Sequence, residues 1–153
     1  MLTAWRIVKK RHGARAFGGE GARLFGGRWN SPGLAVVYVA STRALAVLEM
    51  AVRLDRSTLL TSFVLIPCEF HEKLVIAVDR AVLPMNWRRD PAPPELAAIG
   101  DLWIKKVRSA VLAVPSAIIE AEINFLLNPA HPDFSKISIG DPEAFEFDPR
   151  LMK

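Results

Sequence analysis

One glutamate stands in a segment that is otherwise apolar almost all round. The stretch TRALAVLEMAVRL (residues 42–54) has helical character, and on a helical wheel Thr42, Ala46, Glu49 and Arg53 form one narrow stripe. A helix that is apolar on its other faces is enclosed by the core, where an isolated carboxylate is costly. Two interpretations stay open: Glu49 forms an i, i+4 ion pair with Arg53, or it lines a pocket in which the small Ala46 leaves room for a ligand.

Glycines and arginines are concentrated in residues 13–33, GARAFGGEGARLFGGRWNSPG. Seven of the nine glycines lie there, and residues 13–19 are nearly repeated at 21–27. The segment matches neither the Walker order nor G-x-G-x-x-G after a strand, so a flexible surface loop is one interpretation. Arg28-Trp29-Asn30, directly before an apolar run, favours another. A guanidinium there offers a fork of donors suited to pyrophosphate, on a loop whose glycines let the backbone approach a ligand.

Other residues with reactive side chains have weaker support in the sequence. Ser116 follows a proline and has no G-x-S-x-G elbow around it, which argues against a serine hydrolase. His12, His71 and His131 stand far apart, and Cys68 is the sole cysteine, so we expect neither a metal site nor a cofactor. We expect Cys68 to be an inert core residue.

The elements that must position these residues indicate an α+β fold, because strands outnumber helices without strict alternation. The predicted helices cover residues 42–54, with Ser41 as N-cap, and 94–109, which begins with proline and glutamate. Residues 13–33 are predicted as a loop, 84–94 as a proline-rich connector and 125–127 as core. The predicted strands are residues 5–8, 35–40, 62–70, 74–78, 111–114, 117–120, 136–139 and 144–147.

Length and charge limit the class of protein. A chain of 153 residues predicts a single domain over residues 1–153. The net charge is +4. The first 28 residues contain seven cationic residues and one acidic residue, Glu20, so this region should attract anions. Few aromatic residues and no known DNA- or RNA-binding pattern argue against nucleic-acid binding. We expect neither a membrane span nor a signal peptide, and the lone cysteine fits a reducing cytosol, so a cytoplasmic location is expected.

Several stretches, in order along nearly the whole chain, resemble one bacterial family. They are residues 5–7, 19–33, 36–38, 48–49, 114–118 and 124–133. Together they resemble the RES-domain toxins of RES–Xre toxin–antitoxin pairs. The family is named for an arginine, a glutamate and a serine, which match Arg28, Glu49 and Ser116. The family usually has a proline after residues 115–119, where this chain has Glu120. We expect this difference to affect the local backbone geometry at a strand end and not the chemistry.

The resemblance implies an ADP-ribosyltransferase-like mixed β-sheet core with flanking helices, and an attack on NAD⁺ at the nicotinamide–ribose bond. NAD⁺ would be the substrate, degraded by hydrolysis or phosphorolysis, and its loss would arrest growth. The alternatives are a transferase that ADP-ribosylates a specific protein, and an inactive module that binds NAD⁺ or ADP-ribose. The implied partner is an Xre-type antitoxin that blocks the active site.

The resemblance and the residue chemistry together predict a site. Bond cleavage makes an oxocarbenium-like ribose, which needs negative charge nearby, and we assign that task to Glu49. Arg28, helped by Arg6, would hold the pyrophosphate. Tyr38 would pack on the nicotinamide or ribose, and Ser116 would hydrogen-bond and orient the substrate.

Two interpretations stay open for two further polar residues. Asn128 and His131 are expected to shape the pocket wall and bind NAD⁺, or else to cap and bury a turn.

Overall fold

The computed structural model describes residues 1–58 and 61–152, and its described strands form one mixed sheet. The strand order is β4-β5-β6-β2-β1-β3-β7, with β8 also paired to β3. Strands β4 and β5 are parallel and the other neighbours are antiparallel, which confirms the α+β class. The strands are β1 Leu2–Lys9, β2 Val37–Ala40, β3 Phe63–Phe70, β4 Val75–Ala77, β5 Val111–Pro115, β6 Ile123–Leu127, β7 Ser138–Ile139 and β8 Glu143–Phe145.

Three α-helices accompany the sheet: α1 Glu20–Phe25, α2 Arg43–Ala51 and α3 Pro94–Lys105. The N-cap of α2 is Thr42, so the prediction of Ser41 is wrong by one residue. Thr42 has the extended backbone that an N-cap requires, and its hydroxyl accepts a 3.0 Å hydrogen bond from the Leu45 N–H. Helices α2 and α3 both end earlier than predicted. Short 3-10 helices cover Lys10–Arg15, Glu72–Leu74, Arg80–Val82, Pro132–Lys136 and Pro149–Met152.

The glycine-rich segment is more ordered than the predicted loop. It contains α1 because its glycines lie mainly at the helix ends, where left-handed backbone is needed. Gly19 at the N-cap has φ 74° and Gly26 at the C-cap has φ 72°. A side chain at Gly19 would also meet the backbone of Val36 at 2.7 Å, so this loop packs closely against the start of β2.

The strand predicted over residues 117–120 is absent, and a turn joins β5 to β6 instead. The Ser116 N–H donates to Glu122 O at 2.9 Å, and the Glu122 N–H donates to Ile119 O at 2.9 Å. The Ser116 hydroxyl also accepts hydrogen bonds from the N–H groups of Ile118 and Ile119. These donors are therefore used within the turn rather than in a strand ladder. The chain regains strand pairing at Ile123–Leu127, whose last three residues are buried as predicted.

Helices α2 and α3 lie on the same face of the sheet. Side chains alternate between faces along a strand, and Leu112, Leu126 and Val36 pack with Trp103 of α3. On the same face, Ile7 and Ala40 pack with Leu45 of α2. Arg28, Tyr38 and Glu49 come together in this region, next to Pro115 and Ala117 at the start of the turn after β5.

Candidate functional site

The carboxylate of Glu49 is held by two side chains from the β5–β6 hairpin. Its Oε1 accepts a 2.7 Å hydrogen bond from the Ser116 hydroxyl and another of 2.7 Å from Asn124 Nδ2. No ion pair joins Glu49 to Arg53 within residues 1–58 and 61–152. Helix α2 ends at Ala51, so Arg53 is no longer on the helical track that would align it with Glu49. Of the two interpretations of Glu49, the structure favours the pocket.

Ser116 is fully buried, and its hydroxyl both donates and accepts hydrogen bonds within the protein. It donates to Glu49 and accepts from the N–H groups of Ile118 and Ile119, each at 3.1 Å. A hydrogen bond from Ser116 to the substrate stays a prediction, and in this structure no surface of the residue is open to a bound molecule. Its place in the site is to hold the glutamate.

Arg28 and Glu49 line the same cleft, although they come from distant parts of the chain. The cleft has a volume of about 530 Å³, within the range of small-molecule sites, and its wall includes Phe25, Val52, Arg53, Arg88, Asp90 and Ile118. Arg28 Nη1 donates to the carbonyls of Trp87 at 2.9 Å and Arg89 at 2.8 Å. Partial burial lowers the pKa of the Arg28 guanidinium, against the opposing effects of the Asp90 and Glu49 carboxylates.

Tyr38 connects residues 28–30 to strand β2 through two hydrogen bonds. Its hydroxyl donates to Asn30 Oδ1 at 2.7 Å and accepts from the Trp29 N–H at 3.1 Å. Burial raises the pKa of this phenol well above its ordinary value. Asn30 is itself buried and donates to Ala22 O, so the phenol is part of a closed network. The Tyr38 ring still borders two small cavities beside Glu49, and its predicted packing on the ribose or nicotinamide stays a prediction.

Arg6 lies in a different cavity from Arg28. Its Nε donates to Ala16 O at 2.6 Å and its Nη1 to Tyr38 O at 2.9 Å. Burial, and then repulsion by Arg53, lowers the pKa of Arg6 to about 10. Arg6 borders a cavity of about 80 Å³ together with Glu49, whereas Arg28 does not. The two cavities share Glu49 and Arg53, and a joint hold of Arg6 and Arg28 on one pyrophosphate stays a prediction.

Asn128 and His131 border neither the cleft nor the two small cavities beside Glu49, and their binding of NAD⁺ stays a prediction. Asn128 is fully buried, and its Oδ1 accepts from the Ala130 N–H at 3.0 Å. His131 caps the 3-10 helix Pro132–Lys136 by accepting from the Asp133 N–H at 2.9 Å. Asn128 follows Asn124 by four residues of extended chain, roughly 13 Å. The two residues cap and bury a turn, which was the alternative interpretation.

Two residues of the site were not predicted as such. Asn124 is the polar residue near the start of the apolar strand INFLL, and this position on a buried strand was the available indication. Arg53 was considered only as an ion-pair partner for Glu49, yet it borders the large cleft and both small cavities. Sequence spacing alone did not show that Glu49 already has other partners.

Within the described residues, the structure contains neither a cluster of metal ligands nor a membrane-spanning helix. No three His, Cys, Asp or Glu side chains of residues 1–58 and 61–152 are grouped as metal ligands. Within the same residues, no helix has the length and apolar character needed to cross a bilayer.

Comparison with known proteins gives a consistent family. The RES domain model matches residues 3–148. The chain is 40% identical to "Toxin Res" of Yersinia enterocolitica over 98% of this chain and 99% of that protein. It is 37% identical to "Prs ADP-ribosylating toxin" of a Sphingobium strain, over 97% and 96% of the two chains. The fold resembles a chain from the crystal structure of the M. tuberculosis MbcT–MbcA toxin–antitoxin complex, with a TM-score of 0.74 at 19% identity, covering 98% of this chain and 86% of that one. This chain thus belongs to the RES domain family.

Proposed function

We propose that this protein is the toxin of a toxin–antitoxin pair and that it cleaves NAD⁺ at the nicotinamide–ribose bond. Membership of the RES family supports the toxin role, since relatives from Yersinia and Photorhabdus are named Toxin Res. The observation that carries the chemistry is the Glu49 carboxylate, with Oε1 held by two donors, in a cleft that it shares with Arg28.

The residues of the cleft suit the charge changes of the reaction. When the bond between C1′ and the nicotinamide nitrogen breaks, its electron pair leaves with nicotinamide and positive charge develops on the ribose. A fixed carboxylate stabilises that charge without reorganising, which is the usual source of large rate gains. The hydrogen bonds from Ser116 and Asn124 both go to Oε1 of Glu49. No described residue hydrogen-bonds Oε2, which stays available for ribose. The positive charge of Arg28 attracts the phosphates.

The decisive experiment follows nicotinamide release from NAD⁺ by the purified protein, with and without phosphate. Glu49→Gln should lower kcat by at least about 100-fold, since a preorganised charge at the reacting centre is lost. Glu69→Gln is the matched control, because Glu69 is an exposed carboxylate on β3 and is not part of the cleft. Full activity of both Glu49→Gln and Arg28→Ala would refute the site. Stimulation by phosphate would identify phosphorolysis, and its absence would identify hydrolysis.

Transfer of ADP-ribose to a protein is the second candidate, favoured by the name of the Sphingobium relative. The same broken bond serves that reaction, with a protein side chain in place of water or phosphate as acceptor. NAD⁺ labelled in the adenylate half would then leave label on a macromolecule in a cell extract. Binding of ADP-ribose in calorimetry without any nicotinamide release would instead identify an inactive binding module.

An antitoxin partner is part of the proposal. Phe25 and Val52 are 84% and 66% exposed on the wall of the cleft, so an apolar segment laid over it would bury both side chains. The similar fold in the MbcT–MbcA complex supports a partner of this kind. We expect growth arrest on induced expression, relief by the product of a neighbouring Xre-type gene, and inhibition of nicotinamide release by that product.

A further inference from the structure

Three arginines surround Glu49, and they differ in how many hydrogen-bond donors they have left. Arg6 uses Nε and Nη1 on the carbonyls of Ala16 and Tyr38. Arg28 uses Nη1 on two carbonyls of the 84–94 connector. The Arg53 side chain makes no hydrogen bond or ion pair with any other residue of 1–58 and 61–152. All five donors of its guanidinium are therefore available to a ligand.

Arg53 is also the arginine with access to the whole site. It borders the cleft of about 530 Å³, the cavity of about 80 Å³ that contains Arg6, and a third of about 30 Å³, all of which also touch Glu49. It follows directly after the C-cap of α2, the helix that carries Glu49, so its backbone is fixed relative to the carboxylate. Its side chain is exposed and can reach a ligand without unpacking.

The charges around Arg53 favour an anion. Three guanidinium groups (Arg28, Arg53 and Arg88) and two carboxylates (Glu49 and Asp90) border the cleft, so positive charge is in excess there. Burial is the main cause of the lowered pKa of Arg6 and of Arg28, and the nearby positive charge of Arg53 adds to it in both cases. A bound dianion would relieve this repulsion and take up the free donors together.

We propose that Arg53 is the principal ligand of the pyrophosphate of NAD⁺ and ADP-ribose, while Arg28 serves mainly to clamp the connector at Trp87 and Arg89. This inference rests on the proposed function for the identity of the ligand. Arginine matches the geometry because its planar fork can give two parallel hydrogen bonds to phosphate oxygens.

Calorimetry with ADP-ribose tests the inference without requiring turnover. Arg53→Ala should weaken the Kd by about 10- to 100-fold, as expected for loss of hydrogen bonds to a charged group. Arg53→Lys keeps the positive charge but lacks the planar fork, so its Kd should lie between those of the wild type and of Arg53→Ala. Arg108→Ala is the matched control: Arg108 is an exposed arginine just after α3 that borders none of the three cavities, and its loss should leave the Kd unchanged.

Kinetics and stability separate binding from a structural role. For NAD⁺, Arg53→Ala should raise KM with little change in kcat, whereas kcat/KM for nicotinamide riboside, which has no phosphate, should stay the same. Without ligand, Arg53→Ala should have nearly the stability of the wild type, because the side chain makes no hydrogen bond or ion pair with the described residues.

The outcomes distinguish this inference from the proposed function. An unchanged Kd for ADP-ribose in Arg53→Ala, or an equal loss with nicotinamide riboside, overturns the role of Arg53 even if the wild type releases nicotinamide. A weakened Kd in a protein that releases no nicotinamide supports Arg53 and refutes the enzymatic proposal.

Discussion

Replacing Ser116 by alanine tests whether the serine holds Glu49 or takes part in the reaction itself. The variant loses a 2.7 Å hydrogen bond to a carboxylate, which contributes about 1.5–3 kcal/mol. It also leaves the N–H groups of Ile118 and Ile119 without their acceptor, although Ile119 is exposed and water can replace that bond. We therefore expect the free energy of unfolding to fall by about 2–4 kcal/mol.

The effect on catalysis should be moderate, because Asn124 still donates to the same carboxylate oxygen. A loss of about 1.4–2.7 kcal/mol of transition-state stabilisation lowers kcat by about 10- to 100-fold. KM for NAD⁺ should change by less than about 3-fold, since a residue with no exposed surface does not contact the substrate. The assays are nicotinamide release at saturating NAD⁺ and urea unfolding followed by tryptophan fluorescence.

Ser109→Ala provides the matched control for this prediction. Ser109 is buried and hydrogen-bonds Trp103 Nε1 and Val111 O, outside the cleft. It should lose comparable stability and keep kcat. A loss of kcat beyond about 10⁴-fold in Ser116→Ala would indicate a nucleophile and refute the holding role. A large rise in KM at constant kcat would refute it too. In a Glu49→Gln background, Ser116→Ala should have little further effect on activity.

Three other substitutions test how the surrounding structure supports the site. A Cβ at Gly27 would lie 2.6 Å from the Tyr38 hydroxyl, so Gly27→Ala should cost about 1–3 kcal/mol in urea unfolding and lower nicotinamide release. A Cβ at Gly100 would overlap the backbone carbonyl of Trp29, so Gly100→Ala should cost about 3 kcal/mol or more, and wild-type stability would contradict the close packing of α3. Burial raises the pKa of the Cys68 thiol to about 12 from an ordinary 9.0, so native protein should resist iodoacetamide at pH 8.5 in a mass-spectrometric assay. Between these two values the native state binds more protons than the unfolded state, so the stability that Cys68 contributes below pH 9 is lost as the pH rises towards 12. Cys68→Ala should therefore lose less stability than the wild type over this pH range.

Local patterns predicted most of the sheet and two of the helices. The apolar run before Ser41 and the run FVLIPCEF are strands because β-branched and aromatic residues suit a buried pleated surface. Helix α2 follows from its apolar periodicity. The prediction of a strand over residues 117–120 was wrong because a side chain, the Ser116 hydroxyl, captures two backbone donors there. Propensity scales rank residues by how often they occur in strands, and they take no account of a side chain that hydrogen-bonds the backbone in place of a neighbouring strand.

The sequence by itself determined the α+β class, the glutamate that needs a partner on an apolar helix, and the arginine that precedes a buried strand. These follow from periodicity and from the cost of an unpartnered charge, which act over a few residues. Only the tertiary structure decided which partners each group has. Ser116 and Asn124 hydrogen-bond Glu49, and Arg6 and Arg28 donate to backbone carbonyls. The Arg53 side chain has no partner of either kind among the described residues. Those contacts join residues up to 75 positions apart, and a hydrogen bond depends on distances of a few tenths of an ångström, which the pairing of β5 with β6 and the end of α2 set together.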